Sequence, residues 1–483
     1  MSYLKGPDRS QVEMLPPSLE EYVAVNAPVR FIEAFVGDLD LQNLGFERSQ
    51  PAETGRPGYD PADLLKLYLY GYLNRIRSSR RLEGEAKRNV ELMWLLRRLT
   101  PDFKTVADFR KDNRKCFKGV FKQFNLVCRK LGLFGAELVA IDGSKFKAVN
   151  NPGRHYTAEQ LKELVAKVEE RIERYLKNLD QQDAEAEGVR GAPSPEELQA
   201  KLQVLRQHKG KYDELLGELN ASAQREVSLT DPDSRGQKRV GVGYNVQVAV
   251  DAKHDLIVET EVVQDANDRK QLSALAIAAK TELGVEQLKA VADSGYDEAE
   301  QFKACADAGI EVYVPAQGTT SGKTNTGQQI FPKEAFIYDP ARDLYQCPAG
   351  QELKRRSEAF HKGKVKLEYW NRSACPGCRL KPQCTTSKFR KLARGVNEAQ
   401  VALVAARVKA HPEIVAERKT IVEHVFGTLR NWGHDTFLTR RLPSVRAEFS
   451  LSALAYNLRR VLTLVGVEEL LASLQSTAPA AAR

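Results

Sequence analysis

Apolar residues recur along this chain at two periods, and the change of period divides it. From Asp60 the stretch "DPADLLKLYLYGYLNRI" places them at helical spacing, and Asp60 ahead of Pro61 supplies a helix start. The same spacing persists through "SSRRLEGEAKRNVELMWLLRR" and "TVADFRKDNRKCFKGVFKQFNLVCRKLG", so residues 56–135 read as an all-helical domain. Residues 1–55 are loosely patterned, end in the turn-rich "PAETGRPGYDP" and read as an N-terminal arm. At Leu138–Ile141 an apolar run predicts a short buried strand, closed by a turn at Asp142 and Gly143.

The next segment returns to a helical pattern. Leu161, Val165, Val168, Ile172, Tyr175 and Leu179 form a heptad seam, and Leu198, Leu202, Leu205, Tyr212, Leu216 and Leu219 form a second. A capping box at Ser194 opens the second helix. Two such helices joined by a polar loop predict a coiled-coil hairpin over residues 151–225, with an intermolecular coiled coil as the rival arrangement. Strand period then returns: Val246, Val248 and Val250 alternate, and "DLIVETEVV" answers them across "DAKHD" as a hairpin. A helix near Gln271–Leu283, the strand "QLKAVADSGY", a helix from Asp297 to Ala308 and the strand "IEVYVPAQ" complete the run. Three strands followed by alternating helices and strands make an α/β fold, a mixed five-stranded sheet covered by helices. The unit built on that sheet is expected over residues 136–315 and 400–465, with a flexible tail at 466–483.

Charge adds a partner. The whole chain carries +9, yet Arg75–Lys130 alone holds 17 Lys or Arg against 6 Asp or Glu, a difference of +11. Such an excess fits a polyanion, nucleic acid above all, although a merely solvated helical surface has the same composition. Arg80, Arg81, Arg97, Arg98, Arg110 and Lys111 are the candidate phosphate contacts. With 42% hydrophobic and 28% charged residues, no long apolar run and no apolar signal core at the start, the expected location is the cytoplasm, away from membranes.

Two strands end in an acid followed by a small residue and glycine: Asp142 in "VAIDGS" and Asp293 in "VADSGY". Either alone is an ordinary turn former or helix cap. Two in one sheet can lie together, and two ionised carboxylates held close call for a divalent cation. A third acid is expected from "AERKTIVEHVFGTLRNWG". At ~100° per residue, Ile421, Val422, Val425, Phe426 and Leu429 span ~0–140°, and Glu423 falls at ~200°, on the border of the buried stripe. An exposed pair of Lys419 with Glu423 is the bland alternative.

"VAIDGSKFKA", "VADSGYDEAE" and "TIVEHVFGTLR", in that order, resemble the three catalytic motifs of DDE-type transposases of bacterial insertion sequences. The resemblance covers roughly residues 15–465 and implies a ribonuclease H-like catalytic domain in which Asp142, Asp293 and Glu423 hold two Mg²⁺ ions, with Mn²⁺ as a substitute. It implies metal-dependent strand cleavage and strand transfer at insertion-sequence ends by a homodimer on DNA. It also makes Lys419 and Arg430 phosphate contacts, whereas Ala416 stands where the family has tyrosine. A nuclease that never joins ends, and an inactive DNA-binding repressor or architectural protein, are the competing readings.

Four of the seven cysteines, Cys347, Cys375, Cys378 and Cys384, fall in a Cys-rich insertion at 316–399, where four thiolates suit structural Zn²⁺. Free thiols in a basic loop are the alternative, and His361 is a possible substitute ligand. Cys116, Cys128 and Cys305 read as core residues. Trp370 suits either stacking on a base or packing in a small domain, and Asp231, Asp233 and Arg235 suit either DNA contact or a turn.

Overall fold

The computed structural model describes residues 18–50, 57–150, 155–184, 195–221, 226–237, 240–317, 329–361 and 364–475. The chain opens with α1 (Leu19–Tyr22), α2 (Pro28–Gly37), α3 (Pro61–Leu73), α4 (Ser79–Ala86), α5 (Val90–Leu95), α6 (Phe103–Asp112) and α7 (Phe117–Lys130). Asp60 caps α3 as expected, accepting from the Ala62 amide at 2.8 Å. α3 is apolar nearly all round and buried nearly all round. The expected arm is not separate. α2 buries Val29, Phe31, Ile32, Phe35 and Val36, and Phe31 and Phe35 meet the Phe124 ring of α7 edge-on at 6.0 and 5.8 Å. A proline start followed by five closely spaced apolar residues is enough to make that helix, although its pattern is short.

β1 (Leu138–Lys147) is followed by β2 (His155–Thr157), α8 (Ala158–Ala184), α9 (Pro195–Ala221) and β3 (Glu226–Ser228). α8 and α9 fold back on each other, with Lys209 on Glu169 at 2.6 Å, and bury Leu161, Val168, Leu198, Leu202, Leu215 and Leu219. Within the chain this is a helical hairpin; the Ser194 cap and the Leu179 side chain lie outside the described residues.

Next come β4 (Arg235–Gln237), β5 (Gly241–Asp251), β6 (Ile257–Val263), α10 (Leu272–Leu283), β7 (Leu288–Ala292), α11 (Ala299–Asp307) and β8 (Ile310–Tyr313). The five expected strands lie in the order β6-β5-β1-β7-β8, with short β4 added beside β5. β5 pairs antiparallel with β6 and β1, while β1, β7 and β8 run parallel. This is the ribonuclease H-like arrangement. One face buries Ala140, Phe146, Val246, Val248 and Val250 under helices from both ends of the chain. The other buries Val139, Ile141, Ala249 and Ala290 under α10 and α11. β1 does not stop at Asp142: it pairs with β5 as far as Lys147, so Gly143 lies within the strand and makes no turn.

A second sheet follows, an antiparallel meander of β9 (Ile337–Asp339), β10 (Leu344–Gln346), β11 (Glu352–His361), β12 (Lys364–Trp370) and β13 (Lys391–Gly395). The chain closes with α12 (Glu398–Ala410), α13 (Pro412–Asn431), α14 (Leu442–Leu464) and α15 (Gly466–Gln475). α14 packs on α3, α7 and β6 together. Its buried Asn457 receives the Ile257 amide at 2.8 Å and donates to the Ile257 carbonyl and to Asn125 of α7. The helical domain and the sheet thus share one core, where two separate domains were expected. Nor are residues 466–475 a free tail: α15 buries Val467, Leu470 and Leu474 and packs against α2, while 476–483 lie outside the described residues.

Asp231, Asp233 and Arg235 build a turn that receives the start of α14. Asp231 is buried and accepts from Tyr244 at 2.8 Å and from the Arg441 amide at 2.9 Å, and Asp233 accepts from the Leu442 amide at 2.8 Å. His434, 1% exposed, joins the two ends of the core between the rings of Tyr72 and Trp432. Burial, aided by Arg77 and Arg75, lowers its pKa to about 3. A depressed histidine withholds a proton that the unfolded chain binds below its ordinary pKa, so it erodes stability as pH falls from about 6.5 toward 3. Replacing His434 by Phe should remove this term: wild type should lose about 2 kcal/mol more than the variant between pH 7.5 and pH 5. Urea unfolding at the two pH values measures it, and parallel losses would refute the account.

Candidate active site

Parallel pairing brings the two strand-end acids together. Ile141 of β1 lies opposite Ala292, the last residue of β7, so Asp142 and Asp293 occupy the next positions on neighbouring strands, about 4.8 Å apart in backbone spacing. Asp293 caps the 3₁₀ turn Ser294–Tyr296, accepting from the Gly295 amide at 2.8 Å. Asp142 accepts from the Gly143 amide at 2.8 Å and from Arg418 Nη1 of α13 at 3.0 Å. Burial pushes its pKa up to about 6; Arg418 and the Gly143 amide act against that rise, and the charge of Asp293 adds to it. Two oxygen-bearing acids at one sheet edge, one of them raised by desolvation and a like neighbour, have the donor chemistry of a Mg²⁺ site.

α13 carries the remaining groups. Ile421, Val422, Val425, Phe426 and Leu429 are buried in the register expected, and Glu423 is exposed on the flank. Along the helix axis Glu423 lies between Arg418 and Arg430, whose Nη2 donates to Ser144 Oγ at 2.6 Å, two residues beyond Asp142 on the same strand face. Glu423 is not gathered with the two aspartates: among the described residues, no three His, Cys, Asp or Glu side chains stand together as a metal sphere. Lys419 and Ala416 are exposed. Arg418 was not anticipated, yet it has a signal: it falls at ~60° on the helix, a cation in the middle of an apolar stripe.

The opposite face of β1 also escaped the sequence reading. Opposite Gly143 and Lys145 stand Gln247 and Asn245 of β5, both fully buried. Asp268 Oδ1 accepts from Gln247 and Asn245 at 2.7 Å each and from Lys145 at 3.1 Å. Tyr296, from the turn that Asp293 caps, donates to Gln247 Oε1. This network ties β5, β1 and the Asp293 turn together across the space that Gly143 leaves open.

Of the candidate phosphate contacts, Arg80, Arg81, Arg98 and Lys111 are exposed, and Arg80 packs over the Phe103 ring at 4.6 Å. Arg97 is engaged by Asp63 at 2.9 Å. Arg110 turns inward over the Tyr68 ring, with its Nη1 buried, so it is not part of the basic surface. Cys347, Cys375, Cys378 and Cys384 line one cavity of about 30 Å³, although, among the described residues, no three of them close into a metal sphere. Burial raises the Cys384 thiol, Arg390 opposes that, and Cys375, Cys347 and Cys378 raise it further. His361 sits at the end of β11 remote from the Cys347 turn. Trp370 packs beside Phe389, with Lys391 and Arg372 over its ring. Cys116, Cys128 and Cys305 are buried.

Residues 17–112 match the family "Transposase domain (DUF772)", and residues 226–458 match the family "Transposase DDE domain". Among solved structures the chain is similar to a piggyBac transposase synaptic complex with hairpin DNA, at 9% identity and a TM-score of 0.31, over 94% of this chain and 83% of that one. No curated protein matches the chain.

A Cβ built on Gly143 lies 2.2 Å from Gln247 Nε2 and 2.7 Å from Asp268 Oδ1. Gly143→Ala should therefore cost about 1–3 kcal/mol by overpacking. Denaturant unfolding measures the loss, and an unchanged midpoint would contradict the close approach.

Proposed function

The chain belongs to the DDE-type transposases, and on that premise we propose that it cleaves DNA strands at the ends of an insertion sequence and joins the freed 3′ ends to target DNA. In this reading Asp142, Asp293 and Glu423 are the acids that hold divalent metal. The observation that carries it is the placement of Asp142 beside Asp293 at the edge of parallel β1 and β7. Glu423 completes the set from the flank of α13 that also bears Arg430.

When bound, a pair of Mg²⁺ ions supplies Lewis acidity on both sides of a scissile phosphodiester. The chain's own residues set the stage. Arg418 orients the Asp142 carboxylate and favours its ionised form against burial. Arg430, anchored on Ser144, directs a fixed positive charge to the strand face on which Asp142 lies, where phosphate is to bind. Lys419 adds a second, exposed cation, and Arg80, Arg81, Arg98 and Lys111 supply affinity that depends on salt. Because two ends meet one target, the active form on DNA is taken to be a homodimer. Among the described residues no helix is long and apolar enough to cross a membrane.

Zn²⁺ is assigned to Cys347, Cys375, Cys378 and Cys384 as a structural ion. The support is chemical: four thiols around one small cavity, two of them in turns where Cys378 N bonds the Cys375 carbonyl at 3.3 Å and Gly350 N bonds the Cys347 carbonyl at 2.8 Å.

Asp142→Asn, Asp293→Asn and Glu423→Gln should each lower Mg²⁺-dependent cleavage by more than about a hundredfold while leaving duplex affinity unchanged. An assay offering 3′-hydroxyl ends and a target plasmid reads cleavage and joining separately. Cleavage without joined product makes the chain a nuclease, and full activity in all three variants removes the triad. Metal analysis of freshly purified protein should find one zinc per chain; none, with all four thiols titrating freely, would end that assignment.

A further inference from the structure

A groove of about 510 Å³ runs between α13 and α14 and reaches the end of α3, outside the site described above. Arg75, just beyond α3, holds its guanidinium 5.7 Å from the centre of the Trp432 ring. Arg459 and Arg460 enter from α14. Arg459 donates to the Leu73 carbonyl at 3.1 Å, while Arg460 pairs with Asp255 and donates to the His254 carbonyl. Tyr456 donates to the Asp255 carbonyl at 2.9 Å, so its oxygen accepts from His424 Nδ1 at 2.9 Å. His424 Nε2 is then the acceptor that faces Arg460 at 3.4 Å.

These bonds fix the groove's charge. Three guanidiniums meet one carboxylate, and neither Arg75 nor Arg459 pairs with an acid among the described residues. Trp432 adds a flat aromatic wall. Surplus fixed cations beside an aromatic face suit a phosphodiester and its attached base. His424 directly follows Glu423, so the groove adjoins the stretch of α13 that carries the third acid. Arg75 comes from the basic helical segment, which brings both halves of the chain to one surface.

We propose that this groove is a DNA subsite, which takes a backbone phosphate against Arg75 and Arg459 with Trp432 beside the neighbouring sugar or base. The proposal rests on the reading of the chain as a DNA-cleaving transposase, and it adds where the strand runs as it passes Glu423. A single strand and a duplex offer the same phosphate chemistry; the occupant is duplex DNA, because the exposed cations of the helical segment lie on the same chain and demand an extended polyanion.

The test uses full-length protein without metal, so that binding is read apart from cleavage. Trp432 is one of three tryptophans, and replacing Trp94 and Trp370 by Phe leaves it as the reporter. Titration with a short random-sequence duplex should change Trp432 fluorescence along the binding curve. Arg75→Gln and Arg459→Gln, made in the otherwise unchanged chain, should each weaken duplex affinity several-fold and each lower the slope of log affinity against log salt by about one. Arg459→Gln also loses the bond to Leu73, whereas Arg75→Gln gives up only the Trp432 face, so the second variant guards against a folding defect. Duplex binding with unchanged Trp432 emission and wild-type slopes in both variants overturns the groove while leaving the transposase reading intact. Equal response to deoxyadenosine monophosphate or inorganic phosphate overturns it in favour of a small-anion site. No duplex binding by the wild-type chain overturns both readings.

Discussion

Two carboxylates held side by side at the ends of parallel strands repel each other, and the surrounding structure is arranged around that repulsion. The pairing of Ile141 with Ala292 leaves Asp142 and Asp293 no choice of distance. Burial then disfavours the Asp142 charge further. Arg418 acts against both effects from α13, and the amides of Gly143 and Gly295 take one oxygen from each acid. An environment that keeps an acid near the top of its useful range, with a single cation holding it ionised, is unstable toward proton or metal uptake.

Rigidity comes from the reverse side of the same strands. Lys145, Asn245, Gln247, Asp268 and Tyr296 form a polar network directly behind the acids, in which Asn245, Gln247 and Tyr296 are buried and Lys145 and Asp268 half-buried. Satisfied buried polar groups cost more to displace than apolar ones, because any shift leaves partners unpaired. The Asp293 turn is therefore tied to β5, and β5 to β1, by directional bonds. Gly143 is what makes this possible: its missing side chain is the space in which Gln247 and Asp268 meet.

Much of this was legible. The succession of strands and helices along the chain followed from period and turn chemistry, and the two acids stood out because "VAIDGS" and "VADSGY" repeat a local design. The stripe of α13 was readable to the residue, since burial of Ile421, Val422, Val425, Phe426 and Leu429 needs only a period of 3.6. What failed depended on residues distant in sequence. Gly143 looked like a turn because nothing nearby announces Gln247 or Asp268. Arg110 looked like a surface cation because the tyrosine that receives it lies 42 positions earlier. α2 and α15 read as an arm and a tail because each is short, and each is held by elements distant in sequence, the other among them. Arg418 had a local signal that a reading centred on acids passed over.

The contact between α2 and α15 also sets an order of events. A chain emerging from the ribosome presents its helical segment first, but the core of that segment includes Phe449, Tyr456 and Leu470, more than three hundred residues further on. The basic surface can be completed only after the last helix has been made, and its folding carries the slow closure of a very long loop. Truncated chains lacking α14 and α15 inherit the charges but not the scaffold that presents them. Completeness of synthesis thus becomes a condition for building that surface: a half-made protein is held back by its own topology.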